Sequence, residues 1–209
     1  MFWNKIASLY DLFENVYNGK VYKNTGHAVA EHILSSDVVL ECACGTGAIS
    51  IAIAPCCKKL MATDFSEGML MQAVKKCSRF DNVSLCQANI MALDCADESF
   101  DKVVAGNVIH LLDEPQKAFH ELMRVCKRGG KVIIPTYVNI VKNGKSSWAA
   151  RFLELLGLDF KRQFDYESYQ AFIRSMTDED VSFTIVEGRM PCAIAIINKQ
   201  HEPAIGTTN

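Results

Sequence analysis

Two hydrophobic periods alternate along this chain. Short apolar runs of strand length are followed by stretches where apolar residues recur every three or four positions. Residues 25–34 carry the longer period, with Ala28, His32 and Ile33 among the spaced positions, and predict a helix. Residues 37–42 predict a first strand, 48–54 a short helix ended by Pro55, and 59–63 a second strand. Ser66 before an acidic first turn marks the start of a helix to about Cys77. Residues 82–87 predict a third strand, and 100–105 a fourth that is apolar enough to be buried on both faces. Pro115 sits in the first turn of a helix over 114–126, the Arg128-Gly129-Gly130 stretch ends it, and 131–137 predict a fifth strand.

Strands alternating with helices in this way predict βαβ units and a parallel sheet covered on both faces. The C-terminal third reads differently. Helices are expected over 152–158 and 166–176, then strands over 181–186 and 192–197. Only five residues separate the last two strands, too few for a crossover helix, so they predict an antiparallel hairpin. At the other end Phe2, Ile6, Leu9, Phe13 and Val16 fall on one side of an amphipathic helix. The expected organisation is one α/β domain: a helical cap (1–35), a ligand-binding core (36–137), a substrate-side insertion and helix (138–178) and the terminal hairpin (179–199). In the insertion Trp148, Phe152, Leu155, Leu156, Leu158, Phe160 and Phe164 form an apolar cluster, suited to a lid or to core packing.

Composition narrows the class. The chain has 209 residues, 49% of them apolar, and a formal charge of −2. The charges are interspersed, with no basic run to grip nucleic acid. No apolar run approaches the roughly 20 residues of a membrane span. Nine cysteines are scattered and odd in number. With no export signal they suggest a reducing, cytoplasmic setting and use as small apolar residues rather than a disulfide framework. Cys42-x-Cys44 and Cys56-Cys57 lack the second ligand pair that structural zinc needs, so no metal is expected.

Chemistry gathers at the strand ends, where open parallel sheets bind ligands. After the first strand, Gly45 and Gly47 open a turn whose backbone can approach a ligand closely, and a helix follows. A dinucleotide fingerprint would place a third glycine where Ser50 stands. Glu41, four residues before Gly45, is placed either to reach a ligand amine or to hold the loop by accepting its amide hydrogens. Asp64 ends the second strand, where a carboxylate can accept both hydroxyls of a ribose. Phe65 and Met69 can sandwich a flat base. Asn89 and Ile90 follow the third strand, suited to the edge and face of adenine. Asn107 and His110 follow the fourth. Asn107 reads equally as a turn residue. His110 is a candidate general base, against a competing reading as a packing residue.

The stretch Glu41-Cys42-Ala43-Cys44-Gly45-Thr46-Gly47 resembles the acid-x-G-x-G-x-G motif of class I S-adenosylmethionine-dependent methyltransferases. The stretches TDFSEGML, ANIMALDCADESFDKVVAGNVIHLLDEP and ELMRVCKRGGKVIIPTY resemble that family's later motifs, in order. The nearest likeness is to the small-molecule branch that includes the quinone-biosynthesis C-methyltransferases, whose cap segment FWNKIASLYD also resembles. The resemblance spans about residues 1–137. It implies a Rossmann-like, doubly wound, mostly parallel seven-stranded sheet with an antiparallel C-terminal hairpin. It implies S-adenosylmethionine as cofactor, with S-adenosylhomocysteine as product, and methyl transfer to a small-molecule acceptor. Glu41 and the loop would then hold the methionine part, Asp64 the ribose, and Phe65, Asn89 and Ile90 the adenine. Tyr10 and Asn107 would lie near the sulfonium. Ala43 departs from the motif's first glycine and is expected to fit ordinary strand-end dihedrals. A macromolecular methyltransferase and a non-catalytic cofactor- or metal/arsenical-binding protein on this fold are the competing readings.

Overall fold

The structure, a computed structural model, describes residues 18–138, 141–142, 145–146 and 161–200. Seven strands form one sheet: β1 (Val38–Cys42), β2 (Lys59–Asp64), β3 (Val83–Gln87), β4 (Phe100–Ala105), β5 (Cys126–Tyr137), β8 (Asp180–Val186) and β9 (Cys192–Asn198). Two short strands, β6 (Val141–Lys142) and β7 (Lys145–Ser146), pair separately. Strand order in the main sheet is β3-β2-β1-β4-β5-β9-β8. The first five are parallel neighbours, while β9 runs antiparallel to both β5 and β8. The chain winds outward from β1 to β3, then returns to place β4 on the other side of β1. That reversal opens a crevice beyond the carboxyl ends of β1 and β4.

Alternation within the strands divides the core. Leu40, Cys42, Val103, Ala105, Val132 and Ile134 face one side. There they meet Phe119 and Leu122 of helix α4 (Pro115–Val125) and Tyr169 and Ile173 of helix α5 (Tyr166–Arg174). Val39, Leu60, Ala62, Val104 and Ile133 face the other. They meet Val29 of α1 (Gly19–Ala30), Ile53 of α2 (Ser50–Ile53) and Leu70 and Ala73 of α3 (Glu67–Cys77). A buried ion pair, Lys102 Nζ to Asp37 at 3.1 Å, fixes the base of β1 against β4. Among the described residues, no helix is long and apolar enough to cross a membrane.

Several boundaries differ from the sequence expectation. Helix α1 begins six residues early, at Gly19, and ends at Ala30. Its start carries no side-chain cap. Instead Asn18 is buried against the terminal hairpin, its Nδ2 donating to the Met190 carbonyl at 3.2 Å. Pro55 does not end α2 but sits within a 3-10 turn (Ala54–Cys56) that continues it. Helix α4 stops at Val125 because Cys126 is already extended, and Arg128-Gly129-Gly130 belong to an irregular start of β5, with Gly129 at φ 73°. The expected Ser66 cap is present, its hydroxyl accepting from Met69 N at 3.2 Å. The amphipathic N-terminal helix, the helix over 152–158 and most of the insertion's apolar cluster lie outside the described residues. Phe164 of that cluster packs on Tyr169 and Phe172.

The hairpin turn reaches across the molecule to α1. A Cβ at Gly188 would overlap the Val21 side chain and stand 4.0 Å from Asn18 Oδ1. Gly188→Ala should therefore lose about 1–3 kcal/mol by overpacking, read as a lowered urea midpoint; an unchanged midpoint would show that α1 is not held by this contact.

Candidate functional site

A cavity of about 300 Å³ occupies the crevice at the strand-order reversal. Its floor is the cradle between β1 and α2. Cys44 N donates to Thr63 O at 2.8 Å, which prolongs the β1–β2 pairing past the strand end. Gly47 N then donates to Cys44 O at 2.9 Å, closing a tight turn. Gly45 and Gly47 take φ of 56° and 86°, where glycine alone is unstrained. Gly47, expected at the ligand, does not line the cavity. It faces α3 instead, where a Cβ would stand 3.3 Å from Ala73 Cα. Its missing side chain lets the cradle close on that helix.

Ala43 corrects a second expectation. It lines the cavity, but at φ 52° it occupies the left-handed region rather than strand-end dihedrals. The chain must turn sharply off β1 here, and an L-residue so placed costs roughly 1–2 kcal/mol.

Two carboxylates meet in the cavity, with their expected roles exchanged in part. Asp64, not Glu41, holds the loop: its Oδ2 accepts from Gly45 N and its Oδ1 from Ser66 N, both at 2.8 Å. Burial raises the Asp64 pKa, opposed by hydrogen bonds from the Ser66, Gly45 and Phe65 amides. Glu41 is 1% exposed and lines the deep end. Its Oε2 accepts from Ser50 Oγ at 2.6 Å. Ser50, which counts against a dinucleotide motif in the sequence, is thus the partner of Glu41. Burial lifts the Glu41 pKa to about 8, the Ser50 hydrogen bond opposing and the Asp64 charge adding. Near neutral pH Glu41 is therefore largely protonated in the free protein.

The other predicted residues divide clearly. Phe65, Met69, Asn89, Ile90 and Asn107 all line the cavity. Phe65 stands 55% exposed at its open side. Asn89 Oδ1 accepts from Met91 N at 3.0 Å and shapes the turn after β3. Asn107 combines both readings. It takes φ 53°, donates its amide to Pro135 O at 2.8 Å and accepts from Tyr137 N at 3.1 Å through Oδ1. Asparagine tolerates that region better than most residues. His110 is a correction. It is 3% exposed in the 3-10 turn Ile109–Leu111, does not line the cavity, and burial pulls its pKa down to about 4. It packs the loop as a neutral side chain. Tyr10 lies outside the described residues.

The remaining lining includes residues the sequence did not single out. Tyr22 and Thr25 come from α1, and Thr46, Ala48 and Ile49 from the cradle. Val108, Leu111, Leu112 and Tyr137 form an apolar wall beside Asn107. The signal for Tyr22 and Thr25 was their spacing of three on one helix, hidden by placing the helix start too late. Six of the nine cysteines, Cys42, Cys44, Cys57, Cys77, Cys126 and Cys192, are buried, Cys56 and Cys95 are half-buried and Cys86 is exposed. Burial pushes the Cys42 and Cys44 thiols upward. Among the described residues, no group of three or more His, Cys, Asp or Glu is placed to hold a metal.

The cradle and donor set fit S-adenosylmethionine. Backbone and glycines leave room beside Gly45, where a Cβ would meet nothing within 4 Å. Carboxylates stand at the ends of β1 and β2, and an apolar shelf of Met69 and Ile90 lies alongside. Comparison with known proteins agrees. Residues 40–134 match the family profile described as "Methyltransferase domain". A demethylmenaquinone methyltransferase of Clavibacter sepedonicus is 33% identical over 136 residues, covering 63% of this chain and 55% of that protein. One of Shouchella clausii is 25% identical over 188 residues, covering 79% of this chain and 80% of that protein. The chain thus spans about half the length of the first relative and four fifths of the second. A solved S-adenosylmethionine-dependent methyltransferase from Thermotoga maritima superposes with a TM-score of 0.69 at 19% identity, over 95% of this chain and 99% of that one, a likeness of fold.

Two outcomes follow for the free protein. Ala43→Gly should raise unfolding free energy by about 0.5–1 kcal/mol, the strain relieved less the entropy glycine adds to the unfolded chain; a loss of stability in urea titration would refute the strain. Glu41 has a folded pKa near 8 against an ordinary 4.5. Its stabilising contribution is complete below pH 4.5 and is lost as pH rises through 8, with Asp64 acting in the same sense. His110 acts oppositely, its contribution complete above pH 6.5 and lost as pH falls through 4. Thermal melts should peak near pH 6, and Glu41→Gln should flatten the alkaline side between pH 6 and 8.5.

Proposed function

We propose, from the premise that this chain carries a methyltransferase domain of the S-adenosylmethionine-dependent class, that it methylates a small apolar acceptor. One observation carries the reading: a single cavity at the strand-order reversal gathers Glu41, Asp64, Asn89 and Asn107 from four successive strand ends. When bound, S-adenosylmethionine supplies a sulfonium methyl carbon open to in-line displacement. The chain's own residues bind, orient and exclude water. Asp64, at the end of β2 and lining the cavity, accepts the ribose hydroxyls. Phe65 and Met69 cover one side of the adenine, with Ile90 and the Asn89 amide opposite and at its edge. Glu41 faces the amino group of the methionine part. Asn107 is held rigidly by Pro135 and Tyr137, so the acceptor wall keeps a fixed position relative to the cradle.

The acceptor side is supported by Val108, Leu111, Leu112 and Tyr137, an apolar surface suited to a ring compound. The relatives named demethylmenaquinone methyltransferases point the same way. We therefore place a quinol or related phenol first among acceptors. No base is assigned to His110. An acceptor that is already nucleophilic, as an electron-rich quinol ring is, suits a site whose contribution is alignment and a dry environment. Tyr10 is proposed as a further contact from the cap.

Titration calorimetry should show micromolar binding of S-adenosylmethionine. Incubation with separate pools of quinols, phenols, amines and thiols should release S-adenosylhomocysteine from the quinol or phenol pool. Absence of binding at high micromolar concentration rejects the function; release from the amine or thiol pool alone rejects the acceptor class. Asp64→Ala removes two charged hydrogen bonds and should weaken cofactor binding roughly 10–100-fold. Unchanged affinity would remove the ribose assignment.

A further inference from the structure

The apolar wall beside Asn107 is carried by a turn that does not secure its own end. The 3-10 turn Ile109–Leu111 has three residues and no side-chain cap, and the backbone is already extended at Leu112. Leu111 N donates back to Val108 O at 2.9 Å. A turn this short leaves its last carbonyls without helical partners. A residue far along the chain takes two of them. Arg162 N donates to His110 O at 3.1 Å, and Arg162 Nη1 donates to Leu112 O at 2.7 Å. The same guanidinium lies over the ring of Phe172, 6.0 Å from its centroid. Phe172 belongs to α5, which opens with a capping box of Asp165 and Ser168, and its ring packs on Phe164. Arg162 therefore links the turn to an ordered helix. The adjacent ion pair, Lys161 to Asp113 at 3.4 Å, stands in solvent with Asp113 80% exposed and contributes little.

We infer that Arg162 is a positioning residue for the methyl acceptor: it sets Leu111 and Leu112 at the cavity by holding the carbonyls of their turn. The inference rests on the methyltransferase reading and deepens its acceptor side. Val108, Leu111 and Leu112 line the cavity, and Arg162 does not. The wall is pinned at both ends, by Asn107 against Pro135 and Tyr137 at its start and by Arg162 at its finish. A guanidinium suits the second pin. Its charge strengthens the bond to a carbonyl, and its flat fork can donate to Leu112 while stacking on Phe172. The cofactor side is built from other bonds, Asp64 to Gly45 and Ser66 and Glu41 to Ser50. Loss of the guanidinium therefore acts on the acceptor and spares the cofactor. In-line transfer is sensitive to such a change, since a misplacement of about 1 Å can cost on the order of 100-fold in rate.

The test has two arms. In the free protein, hydrogen exchange read by mass spectrometry should run about tenfold faster over 108–113 in Arg162→Met than in wild type, with 41–50 unchanged. In turnover, a short-chain naphthoquinol serves as acceptor and S-adenosylhomocysteine release as signal. Arg162→Met should lower kcat/KM for the naphthoquinol about tenfold or more, chiefly through KM, while the calorimetric Kd for S-adenosylmethionine stays within about twofold. Arg162→Lys keeps a cationic donor for Leu112 O and should stay within about threefold of wild type in kcat/KM. A residue with a structural role alone would lower the melt and weaken cofactor and acceptor together. That result, unchanged exchange over 108–113, an unchanged kcat/KM, or failure of both variants to fold overturns the positioning role. Wild-type turnover confined to another acceptor pool removes the quinol class, and the same comparison is then read on that pool. Wild type that releases S-adenosylhomocysteine from no pool overturns the methyltransferase reading, and this role with it, whatever the exchange shows.

Discussion

The carboxylate of Asp64 ties together everything that meets at the ligand edge. One oxygen holds Gly45 N, in the loop after β1; the other holds Ser66 N, at the threshold of α3. Parallel strands end in separate loops with no hairpin to join them, so some cross-link must fix how those loops stand to one another. Here a single side chain does it. Ser66, set by Asp64, then caps α3 by accepting from Met69 N. That orders the helix whose Ala73 meets Gly47 and whose Lys76 reaches Thr46. The cradle is thus clamped from below by α3 and from the side by Asp64, and its glycines serve the clamp as much as any ligand.

A second constraint works from farther away. Asn18 and Met190, 172 residues apart in the chain, share two buried hydrogen bonds. They moor the start of α1 to the turn of the terminal hairpin, and α1 in turn carries Tyr22 and Thr25 to the cavity. The antiparallel hairpin therefore does more than close the sheet. Its outer turn positions a helix that belongs to the binding wall on the opposite side of the chain's sequence.

This division explains what could be read from the residues and what could not. Val103, Val104 and Ala105 form a strand buried on both faces, and that apolar run shows directly in the letters. Ser66, Asp64 and the glycine turn announce themselves because caps, strand-end acids and glycines have local causes. Long-range causes leave weaker marks. Gly47 looks like a ligand-facing glycine, yet its neighbour is Ala73, a residue that only folding brings near. Ala43 takes a left-handed conformation that alanine does not signal; the cradle's other bonds impose it. Ser50 reads as a missing glycine until Glu41 is seen beside it. His110 lies three residues beyond Asn107, close enough in sequence to suggest the cavity, but the 3-10 turn rotates it into the core. Helix α1 began earlier than expected because its first residues are polar and glycine-led, and the hairpin rather than a cap holds them.

The two carboxylates also discriminate among the nucleotide ligands that this type of fold accepts. A dinucleotide would bring a pyrophosphate to the cradle, close to Glu41 and Asp64. Burial weakens the screening between like charges, so the Asp64 carboxylate would repel that group, and both acids would have to share a dry site with it. Glu41 has a hydroxyl for company and is pushed toward its protonated form by burial. A ligand carrying an ammonium and a sulfonium reverses the balance: positive charge arriving at the deep end makes the ionised carboxylate favourable again. Charge distribution along the cavity, more than the shape of the glycine turn, is what separates the two kinds of ligand here.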